Sequence, residues 1–342
     1  MSAASQAISF VHAGMAKCMS TTLQTMWGAS SNYNYCSATS LKTSVEQNIE
    51  TEYARHGVVP EIVDPGRVNF NNSTPDLPSV LSCEGLTYSW SHNPEMAGCI
   101  DLKQQLLSKM LSGSSNKLLL IVRNPIDWIY SAFAQQVREG GLLDLVDYQT
   151  TFGLFFEQNL NLKQILDTWK QAGFDPIIIP MECYRADPSL FWEIYEAKLN
   201  IQRPEKFNVD LDDSRRNSTR YEVLQDHLNL NRIFDLLAQA TQSDKNDIRD
   251  KKQVLEALNY ARKWGVRRGL TFADDTQLSG LRNIINPGES QVRKENISIN
   301  YSFKKHLIEN FVGPLMKTVD ASCLDILRQY ESSIITQHRF HS

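Results

Sequence analysis

The sequence predicts an α/β protein with a central parallel sheet flanked by helices, and three observations carry that reading. Apolar, β-rich runs recur at Ala7–Ala13, Ser79–Cys83, Leu118–Val122 and Pro176–Pro180. Each is nearly continuous in its hydrophobicity, as strands buried on both faces are. Helical patterns lie between and after them, and strands that alternate with helices return by right-handed crossovers into a parallel sheet.

Taken in order, the first run ends in a short loop, Ala13–Met19, that opens the helical pattern Ser20–Trp27. Residues 32–78 read as mostly irregular, with Pro60, Pro65, Pro75 and Pro78 and the polar stretch Asn69–Thr74. The next helices fall at Asp101–Leu111 and Ile126–Arg138, the second introduced by Asn124 as N-cap and Pro125 at the first helical position. Phe155–Gln171 and Pro188–Leu199 read as single helices. Beyond about residue 213 the character changes. Tyr221–Ala240 and Asp244–Arg268 read as long helices, Gly269–Asn300 as a loop region, and Ser302–Tyr330 as a terminal pair or one long helix. The 342 residues are read as one domain, with an α/β core over about 7–212 and a helical extension over about 213–342.

Composition narrows the function. A net charge of −4 gives no electrostatic case for nucleic acid, and no run of 18 apolar residues suggests a membrane span. The N-terminus, MSAASQAISF, lacks the basic start of a signal peptide, so a cytoplasmic location is expected. Six cysteines (Cys18, Cys36, Cys83, Cys99, Cys183 and Cys323) include no C-x-x-C pair and read as reduced thiols. No His, Cys, Asp and Glu cluster has metal-ligand spacing, so no metal is expected.

The most informative stretch is Ile8–Leu23. A strand, a loop with one lysine, Lys17, and a helix start carrying Ser20, Thr21 and Thr22 make an anion cradle. The amides of a first helical turn, the positive end of its dipole and nearby hydroxyls all favour a phosphate or sulfate group. It is not a nucleoside triphosphate loop of the form G-x-x-x-x-G-K-[ST]. Lys17 precedes Ser20 by three positions, and no second glycine follows Gly14.

The order Gly14-x-x-Lys17-x-x-Ser20-Thr21-x-Leu23 resembles the 5′-phosphosulfate loop of sulfotransferases that use 3′-phosphoadenosine-5′-phosphosulfate (PAPS). Cys18 stands where a hydroxyl residue is common and Met19 where glycine is usual, so the turn is expected to adjust locally. A second segment, Lys117–Pro125, is a buried strand that ends in Arg123 and is followed by Asn124-Pro125, with Ser131 eight residues after the arginine. It resembles the R-[DN]-P…S segment that grips the 3′-phosphate in that family, where an arginine fork suits phosphate oxygens. Trp169–Tyr184 is similar to the family's helix–strand–"yEdl" segment, and Arg215-Arg216-Asn217-Ser218 to its R-x-N-x-S region. The resemblance covers residues 7–240 with gaps, plus the final helix.

It implies a P-loop-like sulfotransferase fold and transfer of a sulfuryl group from PAPS to a hydroxyl or amine, with a carbohydrate among the acceptors. It implies that Gly14, Lys17, Cys18, Met19, Ser20, Thr21 and Thr22 hold the 5′ end of PAPS, and that Arg123, Ser131 and Arg216 serve the rest of the nucleotide. Lys17 is the catalytic cation. The acceptor proton needs a base near a strand end, and Glu84, one residue past the Ser79–Cys83 run, is assigned that role. His56 and His92 are its rivals, whereas His12 is read as packing beside the nucleotide. Arg267-Arg268-Gly269 looks like the segment that closes over the 3′-phosphate in cytosolic members of the family. A small-molecule kinase and a non-catalytic nucleotide-binding relative are the alternatives.

Overall fold

The structure is a computed structural model that describes residues 8–58, 74, 76–87, 94–205, 224, 228, 231–232, 297 and 299–336. Five strands form one all-parallel sheet: β1 (Phe10–Gly14), β2 (Asn34–Ser37), β3 (Ser79–Glu84), β4 (Lys117–Val122) and β5 (Asp175–Pro180). Their order is β2-β3-β1-β4-β5. Helices occupy the connections: α1 (Ser20–Ala29), α2 (Thr39–Asn48), α3 (Ala54–His56), α4 (Ile100–Leu111), α5 (Pro125–Arg138), α6 (Leu145–Thr151), α7 (Gly153–Asn159) and α8 (Leu162–Gln171). After β5 come α9 (Met181–Ala186) and α10 (Pro188–Leu199), and near the end α11 (Tyr301–Leu307), α12 (Gly313–Thr318) and α13 (Leu324–Thr336).

The four apolar runs became β1, β3, β4 and β5, for the reason the sequence suggested. Phe10, Val11, Val80, Leu118, Leu119, Ile121 and Ile179 are wholly buried, with Trp27, Trp128 and Trp169 packed into the same core. Two readings are corrected. Residues 32–78 are not mostly irregular at their start, because Asn34–Ser37 is the edge strand and Thr39–Asn48 a helix that runs on through a π turn, Ile49–Tyr53. Only Asn34 of that strand is buried, so it lacks the apolar run that marks the inner strands. Its register comes from pairing, Tyr35 with Val80 and Cys36 with Leu81. Phe155–Gln171 is two helices rather than one. The break falls at Leu160–Asn161, where the Asn161 side chain accepts from the Gln164 amide at 3.2 Å and caps α8. At the C-terminus the chain forms a pair of helical stretches, the first joining α11 to α12 through a π turn at Ile308–Val312.

Two compact units divide the chain. One comprises Met1–Trp128, Phe152–Arg215 and Ile299–Ser342, and so contains the sheet and the terminal helices. The other comprises Ile129–Thr151 and Arg216–Ser298. In the second unit, Asn231 Nδ2 donates to the carbonyls of Val137 and Gly141 at 2.7 and 3.0 Å. The expected helices Tyr221–Ala240 and Asp244–Arg268 lie largely or wholly outside the described residues. Among the described residues, no helix is long and apolar enough to cross a membrane.

Candidate functional site

The strand order reverses direction at β1. Its connection leads to β2 and β3 on one side, whereas β4 and β5 lie on the other. Ligands of open parallel sheets bind off the carboxyl ends of the strands at such a switch point. The loop after β1 and the Arg123 turn after β4 stand on its two sides.

The loop Met15–Met19 is pinned from within. Ser20 Oγ donates to the Met15 carbonyl at 3.2 Å, Trp128 Nε1 to that of Ala16 at 2.8 Å, and Arg123 Nη1 to that of Lys17 at 3.3 Å. Among the described residues no peptide is cis, and in a trans peptide the N–H points opposite to the carbonyl. The amides of Ala16, Lys17 and Cys18 are therefore directed away from these three donors. Lys17 and Met19 take positive φ, 64° and 53°, and Cys18 between them does not. Such alternation curves successive amides into an anion-binding concavity. Met19 itself takes a left-handed backbone, at a cost on the order of 1 kcal/mol. α1 begins next to it with no side-chain cap. Among the described residues, nothing accepts a hydrogen bond from the amides of Met19, Ser20, Thr21 or Thr22, and the Thr21 and Thr22 hydroxyls have no partner. The site is thus rich in donors at the positive end of a helix.

Gly14 has a steric role. A Cβ there would run into Ser20 Oγ and come within 2.8 Å of the His12 ring. His12 is wholly buried, accepts or donates through Nδ1 to Ser82 Oγ at 2.8 Å, and meets the Trp27 ring edge-on at 5.1 Å. Burial lowers its pKa to about 3, so the imidazole is neutral. Its Nε2 is buried without a partner among the described residues.

Glu84 ends β3 in register with Gly14, and the Gly85 amide donates to the Gly14 carbonyl at 3.1 Å. The turn after it is held from behind. Lys103 Nζ, wholly buried, donates to the Gly85 carbonyl at 2.5 Å and to Glu46 at 2.7 Å, and Gln104 Nε2 donates to the Leu86 carbonyl at 2.9 Å. Burial lowers the Lys103 pKa to about 8 against the opposing pull of Glu46. The Glu84 side chain is half-buried and makes no hydrogen bond or ion pair among the described residues.

Arg123 follows β4 directly, and its Nε is buried without a partner among the described residues. Its turn is fixed by Asn124, whose Oδ1 accepts from the Ile126 amide at 3.0 Å, and by Glu182, which accepts the Asn124 amide at 3.1 Å. Glu182 also accepts the Tyr330 hydroxyl of α13, and Asn124 Nδ2 donates to Ser333 Oγ of the same helix at 2.9 Å. Cys18 is buried, which pushes its thiol up, and the charges of Arg123, Glu182, Glu84 and Arg185 all act on it. A neutral thiol of this kind is no nucleophile.

The structure therefore brings together Gly14, Lys17, Cys18, Met19, Ser20, Thr21, Thr22, Arg123 and Glu84 around the ends of β1, β3 and β4. Ser20 contributes its amide, because its hydroxyl is taken by Met15. Ser131 lies on α5, within the second unit. His56 is exposed on α3 and makes no hydrogen bond among the described residues. Arg216, His92 and Arg267–Gly269 lie outside the described residues. Sequence reasoning missed Arg185, on α9 beyond β5. It is exposed, partial desolvation and the nearby Arg123 charge both lower its pKa, and among the described residues it has neither ion pair nor hydrogen bond. Its signal was a lone basic residue just past a strand end. Among the described residues, no three His, Cys, Asp or Glu side chains could jointly hold a metal ion.

Compared with known proteins, the chain matches no family model and no curated sequence.

Proposed function

We propose that the chain is a PAPS-dependent sulfotransferase of P-loop-like fold, acting on a hydroxyl or amine acceptor, a carbohydrate among the candidates. The observation that carries this reading is the bond from Arg123 to the Lys17 carbonyl at the switch point. It joins a cradle of donors, suited to one phosphate, to a strand-end arginine suited to a second. The residues fit a ligand with two anionic ends: open amides at Met19–Thr22 for one, and the partnerless Nε of Arg123 for the other.

PAPS, when bound, supplies an activated sulfuryl group on a phosphate leaving group. The Met19–Thr22 amides and Lys17 hold the 5′-phosphosulfate end, and Lys17 stabilises charge that develops on the bridging oxygen. Arg123 and Arg185 serve the 3′-phosphate, and the family resemblance adds Ser131 and Arg216 as nucleotide-binding residues. Glu84, next to the cradle and without a partner among the described residues, takes the acceptor proton as the new bond forms. A cytoplasmic location belongs to the same reading.

Calorimetry with adenosine 3′,5′-bisphosphate, followed by a screen of acceptors with labelled PAPS, tests it. Binding without magnesium and transfer to at least one acceptor are expected, and Lys17→Ala should abolish transfer while the protein stays folded. Absence of binding overturns the reading. Magnesium-dependent ATP turnover would mark a kinase, and binding without transfer to any acceptor a non-catalytic relative.

A further inference from the structure

We propose that Cys183 and Cys323 are a disulfide-forming pair that fastens the C-terminal helix to the carboxyl end of β5, with a disulfide of the glutathione class as oxidant. The proposal stands apart from the sulfotransferase reading. All six cysteines are free thiols in this structure, yet these two sulfurs face each other at 2.6 Å although 140 positions separate them in the chain. Cys183 lies on α9, one residue after Glu182, and Cys323 closes the short 3-10 turn Ala321–Cys323 that leads into α13. Both side chains are buried in the first unit, with Ser322 and Asp320 acting on Cys323 and Glu182 and Asp320 on Cys183.

The location gives the pair its consequence. Immediately beyond Cys323, α13 carries Tyr330 and Ser333, which bond to Glu182 and Asn124 and so hold the turn that aims Arg123. A covalent link at the start of that helix anchors its near end against α9. An oxidant can reach it by a small opening, because Ala321 and Ser322 are exposed and the turn can lift without unpacking the sheet. Either thiol can donate the hydrogen bond between them, and Cys323, on the turn that lifts, meets the oxidant first.

The exchange balances as follows. Cys323 thiolate attacks one sulfur of oxidised glutathione, forming a mixed disulfide and releasing one glutathione thiolate. Cys183 loses its proton to solvent and its sulfur attacks Cys323 Sγ, breaking the mixed bond and releasing the second glutathione. Two electrons pass from the protein dithiol to glutathione, and the two protons from the cysteines end on the two glutathione thiols.

The test incubates the full chain with oxidised glutathione, then quenches in acid, alkylates in denaturant and maps the peptides by mass spectrometry. The expected result is a Cys183–Cys323 linked peptide that vanishes on reduction, with Cys18, Cys36, Cys83 and Cys99 recovered alkylated. Thermal unfolding of the same samples should show a higher Tm for the oxidised protein, because a closed loop of this length restricts the unfolded chain. Cys323→Ser and Cys323→Ala should both lose that redox-dependent rise. Recovery of Cys183 and Cys323 as alkylated thiols, as lasting glutathione adducts or in pairs with other cysteines overturns the proposal.

Discussion

Arg123 donates from Nη1 to the backbone carbonyl of Lys17 at 3.3 Å, so two segments 106 residues apart form one structure at the ends of β1 and β4. The guanidinium thus shapes the loop, while its Nε is buried and has no partner among the described residues. Arg123→Met should weaken adenosine 3′,5′-bisphosphate binding at least tenfold, the worth of about one hydrogen bond to a charged group. Arg123→Lys should rescue only part of this, because an ammonium cannot reproduce the fork. Calorimetry on the two variants checks it, and unchanged affinity in both would remove Arg123 from the site.

Glu84 sits beside Gly14 in register, on a turn braced by Lys103 and Gln104. Glu84→Gln keeps the shape and removes the proposed base. Sulfuryl transfer should fall by about 10²–10⁴, with bisphosphate affinity little changed. Equal loss of both would make Glu84 a binding residue instead. Lys103→Met should act differently, destabilising the fold by roughly 2 kcal/mol because the Gly85 carbonyl is left buried without its donor. Denaturant unfolding measures that loss.

Met19 holds φ 53° without being glycine. Met19→Ile, β-branched at a left-handed position, should cost about 1–2 kcal/mol more than the parent and weaken anion binding by distorting the donor cradle. Met19→Gly should stay within about 1 kcal/mol of the parent, since relieved strain and the glycine's greater unfolded freedom oppose each other. An Ile variant as stable as the parent would show that the loop does not depend on this backbone.

His12 has a folded pKa of about 3, below its ordinary 6.5. Between these values the unfolded chain takes up a proton that the folded one refuses. Its contribution to stability is therefore whole above pH 6.5 and declines as pH falls toward 3, by up to about 1.4 kcal/mol per pH unit. His12→Asn should flatten that slope in urea titrations across pH 4–7. An unaltered slope would assign the acid sensitivity to other groups.

The sheet was legible because four of its strands are buried on both faces, and burial on both faces writes itself into local composition as an unbroken apolar run. The loop after β1 was legible for a related reason: strand, lysine and hydroxyl-rich helix start are consecutive, so Gly14 through Thr22 form one local strand–loop–helix unit. The edge strand Asn34–Ser37 was not, because one buried residue in four leaves no pattern and its neighbour β3 supplies the register. The same holds for Arg185, for the bracing of Glu84 by Lys103, and for the hold of Tyr330 and Ser333 on the Arg123 turn. Sequence alone determined which segments become β1, β3, β4 and β5 and where the loop after β1 opens into the first helix, since those depend on neighbours along the chain. Only the tertiary structure decided that Lys17 and Arg123 share a bond, that Met19 accepts a left-handed backbone and that Cys183 faces Cys323. Each is a contact between residues distant in sequence, or a strain imposed by one, and nothing in the local pattern records it.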